Sequence, residues 1–176
     1  MDTSANRSYA GRRAHAAGAM FEQMIAKSCL FYETHGYAAI DKTPEPMKPL
    51  KRYDKHPGWF IATFTRSAQP DYKGILQDGT MLMFDAKHTE KDRIQRGAVT
   101  EEQEACFERY QKHGANCFLV ISLGFERYYR VPWNVFRDMK ERFGHKYMAG
   151  QELEPYEIKF SGGILRFLDG IELKGE

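Results

Sequence analysis

Two stretches constrain this chain more than any other: Pro70-Asp71-Tyr72-Lys73-Gly74 and Met81-Leu82-Met83-Phe84-Asp85-Ala86-Lys87. Both read as β segments, joined by a turn at Asp78-Gly79. The second is apolar until it ends in Asp-Ala-Lys. A strand alternates sides, so Asp85 and Lys87 point the same way, about two residue rises apart. Two carboxylates plus an ammonium make a candidate site for a hard divalent cation and a phosphate. Carboxylate oxygens hold Mg²⁺, and a lysine stabilises an anionic transition state.

The turn decides whether that site exists. If Asp78-Gly79 is a two-residue loop, Gln77 pairs with Thr80, and Asp71 lies opposite Ala86 on the wrong face. If Gln77-Asp78-Gly79 is a three-residue loop with Gly79 left-handed, Leu76 pairs with Thr80, and Asp71 lies across from Asp85. Both loops are common, and the residue types slightly favour the first. A slip of one residue flips every side chain, so a working site demands the second register or an equivalent bulge.

A chain of 176 residues is one domain by default, with enough apolar content for a core. Its net charge of +2 announces no global field for a polyanion. The distribution says more than the sum. Arg7, Arg12, Arg13 and His15 crowd the N-terminus, and Lys48, Lys51, Arg52, Lys55 and His56 crowd a middle segment. Local patches of this kind bind phosphate, although a solvated basic segment looks the same in sequence. The three cysteines, Cys29, Cys106 and Cys117, have no CxxC spacing and read as buried thiols of a reducing compartment. No apolar run reaches membrane-spanning length, and the N-terminus lacks a signal-peptide core. The expectation is a cytoplasmic protein with no membrane partner.

Residues 1–17 lack periodicity and read as a flexible basic arm, leaving 18–176 as one domain. Gly18 to His35 reads as a helix with an apolar stripe of Phe21, Met24, Ile25, Ser28, Leu30, Phe31 and Tyr32, stopped by Gly36. Glu22 sits at the margin of that stripe, where a carboxylate either finds a partner or sits in an exposed first turn. Tyr37 to Lys42 reads as a short strand. Pro44, Pro46 and Pro49 then force extended chain. The insert at about 44–66 reads as an extended lobe carrying the basic cluster, or as a plain surface excursion. Ile75, Leu76 and Met81 to Phe84 suggest strands covered on both faces. His88 to Val99 reads as a polar loop. Thr100 to Lys112 reads as a helix opened by a capping box in which Gln103 reaches back to Thr100. Gln103 facing the acids is the alternative, with one residue unable to serve both well. Ala115 to Leu123 and Glu126 to Val131 read as strands, and Pro132 to about Phe143 as a third helix. The order implies an α/β fold with a mixed sheet flanked by helices. The C-terminal tail suggests no chemical role.

Together these residues resemble a known family. Pro70-Asp71 followed by Asp85-Ala86-Lys87 is the PD-(D/E)xK nuclease pattern. Gly18-x-x-Phe21-Glu22, Lys42-x-Pro44-x-Pro46, Ser67-x-x-Pro70-Asp71-Tyr72-x-Gly74, Phe84-Asp85-Ala86-Lys87-x-Thr89 and a helix with Gln103 occur in the order seen in RecU-type Holliday-junction resolvases. The likeness runs from about Gly18 to Pro132. It implies a restriction-endonuclease-like core, a homodimer, Mg²⁺ with Mn²⁺ as a substitute, and paired symmetric nicking of four-way junction DNA. Carried onto matching positions, Asp71 and Asp85 are metal ligands and Lys87 contacts the scissile phosphate or the attacking water. Glu22 is a ligand directly or through water, and Gln103 is the polar residue of the following helix. The insert matches a stalk that enters the junction. One departure stands out: the family usually has glutamate where this chain has Asp85, one methylene shorter.

Residues expected to contact DNA are Arg12, Arg13, Lys48, Lys51, Arg52, Lys55, Arg66, Lys73, Lys91 and Arg93. Recombinase proteins are candidate partners. Competing readings are a related flap or branched-DNA nuclease, and a junction-binding protein that does not cleave. Trp59, Phe60, Tyr128, Tyr129 and Trp133 exceed what one small sheet must cover, which suggests surface for a twofold dimer.

Overall fold

Helix α1 spans Thr3–Thr34. The structure, a computed structural model, describes residues 3–44, 46–65 and 69–171. The helix begins fifteen positions before the expected start at Gly18, so Thr3 to Ala17 are helical rather than an irregular arm. Its N-terminal half has no apolar stripe, which hid it from periodicity. Ala14, Ala16, Ala17, Arg12 and Arg13 are nonetheless strong helix formers, and adding turns to a helix already anchored needs no new nucleus. The anchor is the C-terminal half, where Phe21, Ile25, Ser28, Cys29 and Tyr32 are buried. Leu30, counted in the stripe, is exposed.

The main sheet is built from β1 (Ala38–Lys42), β4 (Tyr72–Leu76), β5 (Met81–Thr89), β7 (Asn116–Leu123) and β8 (Arg127–Pro132), in the order β1-β4-β5-β7-β8. The β5–β7 pair is parallel and the other pairs are antiparallel, so the sheet is mixed. Between β1 and β4 the chain makes a separate hairpin, β2 (Met47–Arg52) with β3 (Phe60–Phe64). The proline-rich insert is therefore a two-stranded ribbon. Pro49 is tolerated because the ribbon has free edges and its register shifts between Pro49 and Lys51.

Two cores sandwich the sheet. On one face α1 covers Leu82, Phe84, Phe118 and Val120. The C-terminal segment closes this side: the Ser28 hydroxyl accepts from the Leu165 N–H at 2.9 Å and the Tyr32 hydroxyl from the Leu168 N–H at 3.0 Å. On the other face Met83, Leu119, Ile121 and Val131 pack with α2 (Glu101–Lys112), α3 (Trp133–Arg137) and α4 (Met139–Phe143). The expected single third helix is two short ones, broken at Asp138, whose carboxylate is gripped by the Arg137 guanidinium at 2.6 and 2.9 Å.

Two further expectations change. The loop foreseen over His88 to Val99 is largely ordered: β5 runs on to Thr89, and β6 (Arg93–Gln95) pairs with β9 (Tyr147–Ala149). His88 fits a strand because its ring packs on Phe125 at 4.1 Å and meets Ser122 Oγ at 3.1 Å. Ile75, expected to be covered on both faces, is 49% exposed. The last pair of strands is β10 (Phe160–Ser161) with β11 (Ile164–Leu165). Tyr128, Tyr129 and Trp133 prove to be core, at 5%, 1% and 0% exposure, so they offer no dimer surface. Trp59 and Phe60 are exposed, both on the hairpin.

Candidate active site

The turn between β4 and β5 has three residues. Leu76 N–H donates to the Thr80 carbonyl and Gly79 N–H to the Leu76 carbonyl, each at 2.9 Å. Gly79 has φ of +82°, a conformation that costs glycine nothing. Asp78 adds the deciding local bonds: its carboxylate accepts from the Thr80 N–H at 2.8 Å and the Thr80 hydroxyl at 2.9 Å. Those bonds favour the three-residue loop over the two-residue loop that residue types alone prefer. The ladder then runs Ile75–Met81, Gly74–Leu82, Lys73–Met83 and Tyr72–Phe84. Continuing it by one step sets Asp71 across from Asp85. Gly74 belongs to the same arrangement, because a Cβ there would strike the Ala39 carbonyl oxygen of β1.

Asp71 and Asp85 hold each other in place. Asp71 N–H donates to Asp85 Oδ1 at 3.1 Å, and Ala86 N–H donates to Asp71 Oδ2 at 3.2 Å. Lys87 forms an ion pair with Asp85 Oδ2, an oxygen that has no hydrogen bond. Asp85 is fully buried, while the Lys87 side chain is 21% exposed and closes the site toward solvent.

Gln103 completes the cluster from α2. Its Oε1 accepts from the Thr100 N–H at 3.2 Å, the Thr100 hydroxyl accepts from the Gln103 N–H at 3.3 Å, and its Nε2 donates to Asp85 Oδ1 at 2.9 Å. The two readings of this residue are thus compatible. An amide has an acceptor end and a donor end, and each serves one role. Gln103→Ala is expected to lower the unfolding free energy by about 1–2 kcal/mol, through the lost capping box and an unpartnered Asp85 oxygen. Gln103→Glu should cost more at neutral pH, since it sets a carboxylate against Asp85. Urea denaturation measures both.

A buried carboxylate and a half-buried one facing it cannot both ionise cheaply. Asp71 is pushed up to about 7, chiefly by burial, then by the charge of Asp85 and their shared hydrogen bond; Lys87 opposes the rise. The unfolded chain releases this proton near 3.8, the folded chain near 7. Between those values the folded state binds more protons, so its stability falls as pH rises and levels off above about 7. In chelator, the melting temperature of the wild type relative to Asp71→Asn should therefore decline from pH 4 to pH 7 and then stay flat. A constant difference across that range would contradict the raised carboxyl.

Glu22 is not drawn into this cluster. It lies mid-helix rather than in a first turn, and its Oε2 accepts from Lys42 Nζ at 2.6 Å. Among the described residues, no three acid, histidine or cysteine side chains are grouped as a metal site. Of the expected DNA contacts, Lys73 is exposed on β4, on the same face as Asp71. Arg12 and Arg13 are exposed on α1, and Lys48, Lys51, Arg52 and Lys55 on the hairpin. Lys91 is exposed near the end of β5; Arg93 lies 3.3 Å from Asp92 with its guanidinium over Tyr147 at 5.2 Å. Arg66 lies outside the described residues. At the hairpin tip Tyr53, His56 and Trp59 stack, with His56 and Trp59 centroids 5.0 Å apart. Thr43, which precedes the insert at about 44–66, donates its N–H to the Asp71 carbonyl at 2.7 Å. No local signal gives that pairing, because it depends on the register of β1 on β4.

The chain is similar to known proteins in sequence and in fold. The family described as recombination protein U, RecU, matches residues 16–173. A Holliday junction resolvase RecU of Pediococcus pentosaceus is 31% identical over 145 residues, covering 80% of this chain and 71% of that protein. The Holliday junction resolvase RecU of a Geobacillus species is 26% identical over 147 residues, covering 79% and 73%. The solved structure of Hjc, a Holliday junction resolvase of Archaeoglobus fulgidus, superposes with a TM-score of 0.51 at 11% identity, covering 79% of this chain and 93% of that one. At that identity the superposition speaks for a shared fold alone. The family match spans nearly the whole chain, and the chain belongs to the RecU family.

Proposed function

We propose that this chain is a structure-selective endodeoxyribonuclease that resolves four-way DNA junctions by metal-dependent phosphodiester hydrolysis. The observation that carries the reading is the three-residue turn, which sets Asp71 opposite Asp85 with Lys87 and Gln103 closing around them. The donor set fits a hard cation. Two carboxylates share one face, one buried oxygen is met by the Lys87 ammonium and by no hydrogen bond from a fixed donor, and their mutual repulsion is what a divalent charge relieves. Asp71 and Asp85 would hold Mg²⁺, with Mn²⁺ as a substitute. When bound, such an ion supplies Lewis-acid stabilisation of charge on phosphate oxygens and acidifies water.

The chain's own groups do the rest. Lys87 places an ammonium beside Asp85, where it stabilises negative charge growing on the phosphate. Gln103 and the Asp71 N–H fix the Asp85 carboxylate, so that no reorganisation is needed during reaction. Glu22 would join the two aspartates only by releasing Lys42. An ion pair this exposed is worth about 0–1 kcal/mol, so Lys42 itself holds Glu22 only weakly.

DNA recognition rests on backbone charge and junction shape, with salt-sensitive affinity. The β2–β3 hairpin, with its exposed cations and aromatic tip, is the element suited to the junction centre. Resolution takes two cuts in strands of like polarity, and one site per chain calls for two chains about a twofold axis. The test compares labelled four-way junction, flap and linear duplex with Mg²⁺. Paired symmetric nicks confined to the junction are expected; cleavage of the flap alone would replace this reading with the flap nuclease. Recombinase proteins remain proposed partners, and the chain's place in recombination and repair follows from its substrate.

A further inference from the structure

Two buried side-chain oxygens stand out among the described residues: Asp85 Oδ2, ion-paired with the Lys87 ammonium, and Thr43 Oγ1, which has no hydrogen-bond partner. They share a row of the sheet. In the β1–β4 ladder Lys42 pairs with Tyr72, and the next step, sealed by the Thr43 N–H to Asp71 carbonyl bond, sets Thr43 opposite Asp71. In the β4–β5 ladder Tyr72 pairs with Phe84, and the next step sets Asp71 opposite Asp85. Directly opposed residues of antiparallel strands present their side chains on one face, with Cβ atoms about 5 Å apart. Thr43, Asp71 and Asp85 therefore form one line across three strands, on the face opposite to that of Ile40 and Tyr72 in the α1 core.

A buried hydroxyl without a partner is unfavourable, and few persist in folded proteins. Pro44 holds Thr43 extended, which suits the end of the row and fixes the side chain at the root of the hairpin. We infer that the Thr43 hydroxyl is a positioning group of this site, hydrogen-bonding an oxygen of whatever the two aspartates hold. That oxygen belongs either to water accompanying a divalent cation or to a phosphate of the DNA strand. The inference rests on the nuclease reading above and adds a residue to it. It also gives the hairpin a direct link to the chemistry, since the residue just before the insert then touches the ligand.

Thr43→Val keeps shape and removes the hydroxyl; Thr43→Ser keeps the hydroxyl and trims a methyl. If the inference holds, Thr43→Val is at least as heat-stable as wild type in chelator, because an unpartnered polar group has gone. Its kcat on the junction falls by ~10- to 100-fold, the size of effect typical when an outer-shell partner of a metal site is lost. Thr43→Ser recovers most of the rate. Calorimetric titration with Mn²⁺ alone and junction binding in Ca²⁺ identify the partner oxygen. Weaker Mn²⁺ binding by Thr43→Val assigns it to water around the cation. Unchanged Mn²⁺ binding with weaker junction binding in Ca²⁺ assigns it to phosphate. A Thr43→Val protein that cuts, binds Mn²⁺ and binds junction as the wild type does would overturn the inference. If the wild type itself cuts no junction, the nuclease reading fails, while the two binding comparisons still decide Thr43.

Discussion

Asp71→Asn and Asp85→Asn should each slow junction cleavage by at least ~10³-fold while leaving junction affinity within about threefold of wild type. The two acids, Asp85 buried and Asp71 half-buried, lie side by side and accept hydrogen bonds from Asp71, Ala86 and Gln103, so an amide of the same shape fits either place. Neither faces outward as a DNA contact. What the amide loses is the negative charge that holds a cation and orients water. Asp85→Asn should be the harsher change for the fold, because the Lys87 ammonium then loses its partner while only 21% exposed. Single-turnover cleavage on prebound junction separates the two effects. Full-rate cutting by either variant would remove this site from the mechanism.

The second large effect concerns the hairpin. Pro49 pairs with Ala62, so replacing residues 50–61 by Asn-Gly closes a shorter ribbon at a natural two-residue turn. The replacement removes Lys51, Arg52 and Lys55 together with the Tyr53, His56 and Trp59 stack. Junction affinity should fall by ~10²-fold or more and duplex affinity by less than about tenfold. Three lost cations should lower the salt slope by about 2 to 3 on any DNA they touch. The excess loss on junctions is assigned to the aromatic tip, since stacking on unpaired or splayed bases is worth about 1–3 kcal/mol per base. Equal losses on both substrates would make the hairpin a generic basic patch.

Much of this architecture was legible because the chemistry is local. An apolar run ending in Asp85-Ala86-Lys87, a Thr100-to-Gln103 capping box and a glycine after α1 each announce themselves within a few residues. The alternation of helices and strands was enough for a mixed sheet. Failures came where the signal was distributed. The N-terminal half of α1 has helix-forming residues but no apolar stripe, so a periodicity argument passes over it. Tyr128, Tyr129 and Trp133 look like surplus surface until one sees that the sheet carries a core on each face. The register at Asp78-Gly79 turned on a side chain, because Asp78 holds Thr80 in a way that turn statistics do not weigh. The Lys42–Glu22 ion pair was likewise out of reach, since it joins α1 to β1. Thr43 was out of reach altogether, since only the pairing of β1 with β4 brings it beside Asp71.

The central claim is that one Asp71–Asp85 site per chain, presented twice in a symmetric dimer, resolves a junction in a concerted way. A supercoiled plasmid that extrudes a cruciform reads this directly. Two cuts within the lifetime of one complex release linear DNA, whereas a single cut relaxes the cruciform and leaves a nicked circle. With Mg²⁺ the wild type is expected to give mainly linear product. Mixed dimers of wild type with Asp71→Asn should shift the product to nicked circle. Nicked circle from the wild type at every protein concentration, or linear product from the mixed dimers, would contradict the account.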